Sequence, residues 1–139
     1  MPRIERTAQV TWEGNVARGN GSLTAGSGAF SGLPYSLPAR IGAVEGKTSP
    51  EELLAAAHAG CLTMGIATEL TQAGTPPERL EVSCRIVMDE VEGQGHQIVA
   101  SHVTVPAAVP ADLLGRADDG CPFSIMLRNA GVEVTISQT

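Results

Sequence analysis

The chain has 139 residues, 42% hydrophobic and 17% charged, with a formal net charge of −6. That size and balance suit one globular domain with a real core and exclude a disordered polymer. The negative charge and an aromatic content of only 3% argue against nucleic acid, which rewards basic surface and stacking rings, and against anionic membranes.

No segment is expected to reach the run of about 20 apolar residues that crosses a bilayer. The N-terminal MPRIERTAQV lacks the apolar stretch of a secretion signal. A cytoplasmic protein is expected, in a compartment that keeps thiols reduced. The three cysteines are then core residues, metal ligands or chemistry rather than a disulfide framework.

In chain order, Thr7–Trp12 alternates as a strand and Glu13-Gly14-Asn15 breaks it. Val16–Thr24 and Ala29–Pro38 read as the next two strands of an antiparallel meander. Ser49-Pro50-Glu51-Glu52 is a strong helix start, with Ser49 as cap, Pro50 in the first turn and Glu52 completing a capping box. The helix is expected to run to Ala73, where Gly74 and Pro76-Pro77 stop it. Its middle, LLAAAHAGCLTMGIA, has almost no polar face, so burial on all sides is expected. Leu80–Glu90 and Gln97–Val109 follow as two longer strands around a turn at Gly93–Gly95. Pro110–Ala117 is a short helix, Cys121-Pro122 opens another that ends near Asn129, and Val132–Ser137 is a final strand. The fold class is α+β, a single domain over 1–139.

Each cysteine has its own setting. Cys84 shares the inward face of an alternating strand with Leu80, Val82, Ile86 and Met88, where a free cysteine acts as a small hydrophobe. Cys61 lies in the apolar helix, where burial alone raises a thiol pKa and makes it inert. The nearby His58, one turn back, reads first as a hydrogen-bonded core residue and only second as a base. Cys121 precedes Pro122 at a helix start, where outward N–H groups favour a thiolate. Cys61 and Cys121 together suggest a redox pair or half of a metal site. Metal is disfavoured, because the chain has no CxxC or HxxxH pair.

The stretch TSPEELLAAAHAGC, Thr48 to Cys61, resembles the central-helix signature of the OsmC/Ohr proteins, the osmotically inducible and organic hydroperoxide resistance proteins. Gly120-Cys121-Pro122-Phe123-Ser124 resembles their second motif. Trp12-Glu13-Gly14, Arg18-Gly19, Gly21 and Pro34-Tyr35 leading to Arg40 resemble the OsmC branch. The resemblance covers essentially the whole chain, and the two cysteine motifs at this spacing are highly specific.

The resemblance implies antiparallel strands packed around a long buried central helix, in an intertwined homodimer with active sites at the interface. It implies a two-cysteine peroxidase reducing organic hydroperoxides to alcohols in oxidative or osmotic stress defence. By position, Cys61 is the peroxidatic cysteine, Cys121 the resolving one, Arg40 the arginine beside the reactive sulfur and Glu51 the carboxylate that holds it. Without the resemblance, Arg40 reads as an exposed strand-end residue and Glu51 as a first-turn helix acid. The implied partners are the hydroperoxide and a dithiol reductant, protein or small molecule, of lipoyl type. Neither a resident cofactor nor a metal is expected. The competing readings are an OsmC-like binding or stress protein without peroxide turnover, a metal-linked fold and, last, a cysteine hydrolase, which lacks an obvious base and oxyanion loop.

Overall fold

The computed structural model describes residues 2–42 and 45–139. The chain divides into two compact units, Met1–Pro50 and Glu51–Thr139.

The first unit is a three-stranded antiparallel sheet, β1 (Ala8–Glu13), β2 (Asn20–Ala25) and β3 (Leu33–Tyr35), followed by a short helix α1 (Leu37–Ile41). The meander matches the sequence reading, but its edges move. Val16–Ala17–Arg18 forms a turn rather than the start of a strand. The third strand stops at Tyr35 because Ser36 caps α1, accepting the Ala39 N–H at 3.2 Å, with Pro38 in the first turn. Trp12 and Tyr35 meet edge to face, ring centroids 5.6 Å apart. Gly21 opposes Tyr35 in the ladder, and a Cβ there would run into the tyrosine ring. The unit buries little: Ser36, Ala39 and Thr48 are covered, while Val10, Trp12 and Val16 stand exposed.

The second unit packs helices on a sheet. Helix α2 (Pro50–Gln72) precedes the hairpin β4 (Ser83–Val91) and β5 (Gly95–Val105). Helices α3 (Ala111–Asp119) and α4 (Pro122–Asn129) then cross over to β6 (Glu133–Gln138). The sheet order is β4-β5-β6. The expected antiparallel pattern holds for β4 and β5, whereas β6 runs parallel to β5, a pairing that the two-helix crossover makes possible. The register slips between Val87 and Met88, where β5 steps from Ala100 to Ile98 and carries the extra residue.

Helix α2 starts and stops as its sequence predicts: Gly74 takes φ +82 just past the end, and Thr75 N–H bonds the Leu70 carbonyl at 2.9 Å. Its burial is one-sided, unlike the expectation. His58, Leu62, Ile66 and Leu70, spaced by four, face the core, while Glu52, Ala56, Gly60, Met64 and Thr68, also spaced by four, are exposed. A helix apolar all round shows no amphipathic pattern from which its free side could be read. The expectation about membrane-length segments is likewise corrected. By length and composition α2 is apolar enough to cross a bilayer, with mean hydropathy 1.3 over its most apolar window, only 22% of which is buried.

The core joins Leu62, Ile66 and Leu70 of α2 to Val103 and Val105 of β5 and to Leu113, Leu114 and Ala117 of α3. Leu62 and Ile66 are fully buried, worth about 1.5–3 kcal/mol each relative to exposure. Gly65 lets α3 approach, with Ala117 as its neighbour.

Candidate functional site

Cys61 lies on α2 next to the Leu62–Leu70 stripe, part-exposed, while Cys121 is the buried N-cap residue of α4. Although sixty residues separate them, their sulfurs meet at Sγ–Sγ 3.4 Å, with Cys121 donating. A disulfide needs about 1.4 Å of further approach. Side-chain rotation can supply that. Cys84 is not part of the pair: its Sγ lies 3.3 Å from Ser101 Oγ on the neighbouring strand. Burial pushes its thiol up, against a smaller opposing pull from Ser101, so it stays protonated and inert.

The start of α4 serves the pair differently from the sequence expectation. The Cys121 side chain makes no capping hydrogen bond to the helix. Instead, a Phe123 backbone hydrogen bond reaches Cys61 and lowers its pKa. The donor end of α4 therefore stabilises negative charge on Cys61.

That pull is outweighed. Burial pushes the Cys61 thiol up from its ordinary 9.0, and the adjoining Cys121 adds to this through their hydrogen bond and through like-charge repulsion. A thiolate at neutral pH needs a cation beside the sulfur, as the sequence reading anticipated. Arg40 lies in the last turn of α1, in the Met1–Pro50 unit, and Glu51 in the first turn of α2. The structure thus brings the two cysteines together within one unit and sets Arg40 in the other.

His58 and Ser124 line the same helix contact. His58 is fully buried, its Nε2 is 2.8 Å from Ser124 Oγ of α4, and its Nδ1 is 2.6 Å from Ser101 Oγ of β5. Desolvation lowers its pKa, the Asp118 charge pulls it back up, and the Arg128 charge lowers it further. The ring is neutral at pH 7. Both serines were beyond sequence reasoning about this histidine, since they lie 43 and 66 positions away. Behind Cys121, Arg128 Nη2 bonds Asp118 Oδ2 at 2.7 Å, and Cys121 N–H bonds the Asp118 carbonyl at 3.1 Å, which fixes the turn between α3 and α4.

Among the described residues, no three His, Cys, Asp or Glu side chains cluster closely enough to hold a metal ion. The chemistry within reach is that of a buried dithiol, one sulfur accessible and its neighbour shielded.

Comparison with known proteins yields a consistent picture. The family model described as OsmC-like protein matches residues 43–137. The peroxiredoxin OsmC of Escherichia coli strain K12 is 31% identical over 140 residues, covering 96% of this chain and 94% of that protein. Among solved structures, an organic hydroperoxide resistance protein from Elizabethkingia anophelis superposes with a TM-score of 0.76 at 22% identity, covering 100% of this chain and 99% of the other. The organic hydroperoxide resistance protein OhrB of Bacillus subtilis gives 0.70 at 23% identity, over 96% and 98%. At those identities the two structures speak for the fold, an OsmC/Ohr fold with a long central helix and two small sheets. Together with the family model and the relative that aligns over nearly its whole length, they make this chain a member of the OsmC family.

Proposed function

We propose that the chain is a thiol-dependent peroxidase that reduces organic hydroperoxides to alcohols, in defence against oxidative or osmotic stress. Family membership and a relative named peroxiredoxin OsmC support a peroxidase-type oxidoreductase. The single observation that carries the two-cysteine form is the 3.4 Å contact of Cys61 and Cys121.

Exposure supports an order of events. Cys61 is the accessible sulfur and Cys121, only 3% exposed, the shielded one. The Cys61 thiolate attacks the terminal oxygen of ROOH; an S–O bond forms as the O–O bond breaks, and the alkoxide leaves as alcohol after taking a proton. Sulfur is oxidised by two electrons to a sulfenic acid. The Cys121 sulfur then displaces the hydroxyl, which leaves as water with the Cys121 proton, and the disulfide forms. An external dithiol, of lipoyl type by family resemblance, exchanges with the disulfide and restores both thiols. Sulfur carries both electrons, so the cycle requires no resident cofactor. The cytoplasm, where thiols are held reduced, suits such a cycle.

By family resemblance Arg40 is the cation that serves Cys61, and Glu51 orients its guanidinium. The active protein is a homodimer in which a second copy covers the exposed stripe of α2 and the open sheet of the Met1–Pro50 unit. Two features support this. Thr63, Thr68 and Thr71 satisfy their hydroxyls internally on the Ala59, Met64 and Ala67 carbonyls, so they need no water there. A three-stranded sheet with Val10 and Trp12 uncovered also needs a packing partner for stability.

A second reading, an OsmC-like protein that does not turn over peroxide, draws on the raised Cys61 thiol. Steady-state consumption of cumene hydroperoxide with a dithiol separates the two. Turnover that vanishes in Cys61→Ser and halts after one cycle in Cys121→Ser supports the peroxidase. No turnover by the unaltered protein supports the alternative.

A further inference from the structure

We infer that His58 is a positioning residue for the dithiol: by joining Ser124 of α4 to Ser101 of β5, it holds the turn bearing Cys121 against the helix bearing Cys61. The inference rests on the peroxidase reading in that it takes these sulfurs as the redox pair.

His58 stands three residues before Cys61 on α2, and Ser124 three residues after Cys121 at the start of α4. The Nε2–Oγ bond of 2.8 Å therefore crosses between the same two segments as the Sγ–Sγ contact of 3.4 Å, about one helical turn away. A single crossing contact leaves α4 free to pivot. Two crossings a turn apart remove both the pivot and the slide along α2. The third arm, Nδ1 to Ser101 Oγ at 2.6 Å, anchors the imidazole to the central strand, so the ring cannot follow α4 if it drifts.

The burial shows what the arrangement costs. His58, Ser101 and Ser124 are all fully buried, and an apolar side chain would fill the space without needing two matched hydroxyls. Stability alone therefore does not call for this trio. A fixed relative position of α2 and α4 does, because disulfide formation between Cys61 and Cys121 is an intramolecular step whose rate and equilibrium follow the effective concentration of one sulfur at the other. The same tether keeps the Phe123 N–H on the Cys61 sulfur.

The test is the dithiol–disulfide equilibrium of the full chain in dithiothreitol redox buffers, with the Cys61–Cys121 disulfide counted by peptide mass. It needs no peroxide. His58→Leu and Ser124→Ala are expected to lower the equilibrium constant for the disulfide about tenfold, equal to about 30 mV for a two-electron couple. His58→Gln, whose amide can still reach Ser124, is expected to recover part of that loss. At a peroxide dose that leaves the unaltered protein as disulfide, the first two variants should accumulate sulfinic acid on Cys61, because resolution is slowed. Ser124→Ala removes a single oxygen and keeps the test open if His58→Leu does not fold. A folded Ser124→Ala or His58→Leu protein with an unchanged equilibrium overturns the inference and leaves the peroxidase reading standing. Failure of the unaltered protein to form this disulfide at any poise overturns both.

Discussion

Met64 is the most informative place to challenge the dimer. It is 74% exposed in the single chain, and it is the largest apolar side chain of the Glu52–Thr68 stripe on a helix otherwise rich in apolar residues. Covering a methionine is worth about 1.5–3 kcal/mol. In a two-fold interface the same patch occurs on both subunits, so losing it costs about 3–6 kcal/mol per dimer. At 1.4 kcal/mol per tenfold, Met64→Lys should weaken association by about 10²–10⁴-fold, before any charge of burying the ammonium. Sedimentation equilibrium across a concentration series reads this directly. Because Met64 makes no part of the core, urea unfolding of the separated subunits should change little. A variant whose dissociation constant stays within a few-fold, or an unaltered protein that is already monomeric, would refute the reasoning.

Two further outcomes are expected. Arg40→Ala should raise the Cys61 pKa, as removal of a cation that serves a thiolate does; an alkylation rate profile against pH that does not move would show that the arginine does not serve this sulfur. Acid should destabilise the fold through His58. Its folded pKa lies below the ordinary 6.5, mainly by desolvation, with Asp118 pulling it up and Arg128 down, so the unfolded chain binds the proton first. The histidine's contribution is intact above pH 6.5 and is lost on acidification below it, at up to about 1.4 kcal/mol per pH unit. Urea midpoints at pH 7.5 and 5.5 should show the loss, and His58→Gln should reduce it; equal loss in both proteins would assign it elsewhere.

Much of the fold was legible in the sequence because its punctuation is local. Ser49-Pro50 opens α2, Gly74 closes it, Cys121-Pro122 opens α4 and Gly131 follows its end, each within a residue or two of the observed boundary. What failed was either very short or non-local. Helix α1 overlaps the end of an apparent strand, although Ser36 and Pro38 are its signal. The parallel pairing of β6 depends on a crossover, which no alternation pattern encodes. The exposed face of α2 was invisible because Ala56, Gly60 and Met64 are no more polar than the buried side.

The site divides in the same way. Residue types and helix positions singled out Cys61 and Cys121, but their approach is a tertiary fact that the sequence offered only through resemblance. His58 was visible as a lone histidine, and its role depended on two distant serines. Sequence position points to the helix start acting on Cys121; the structure adds that the Cys121 side chain makes no capping hydrogen bond and that Cys61 receives the Phe123 hydrogen bond, a partner no local pattern reveals.

In a two-cysteine cycle one molecule of peroxide is reduced by both sulfurs of one chain. Intact mass and a thiol count after one equivalent of cumene hydroperoxide decide it. The expected result is loss of the Cys61 and Cys121 thiols together, with a mass lower by two hydrogens and a Cys61–Cys121 peptide on digestion. Oxygen retained on Cys61 with the Cys121 thiol still free, or a protein unchanged by the peroxide, would contradict it.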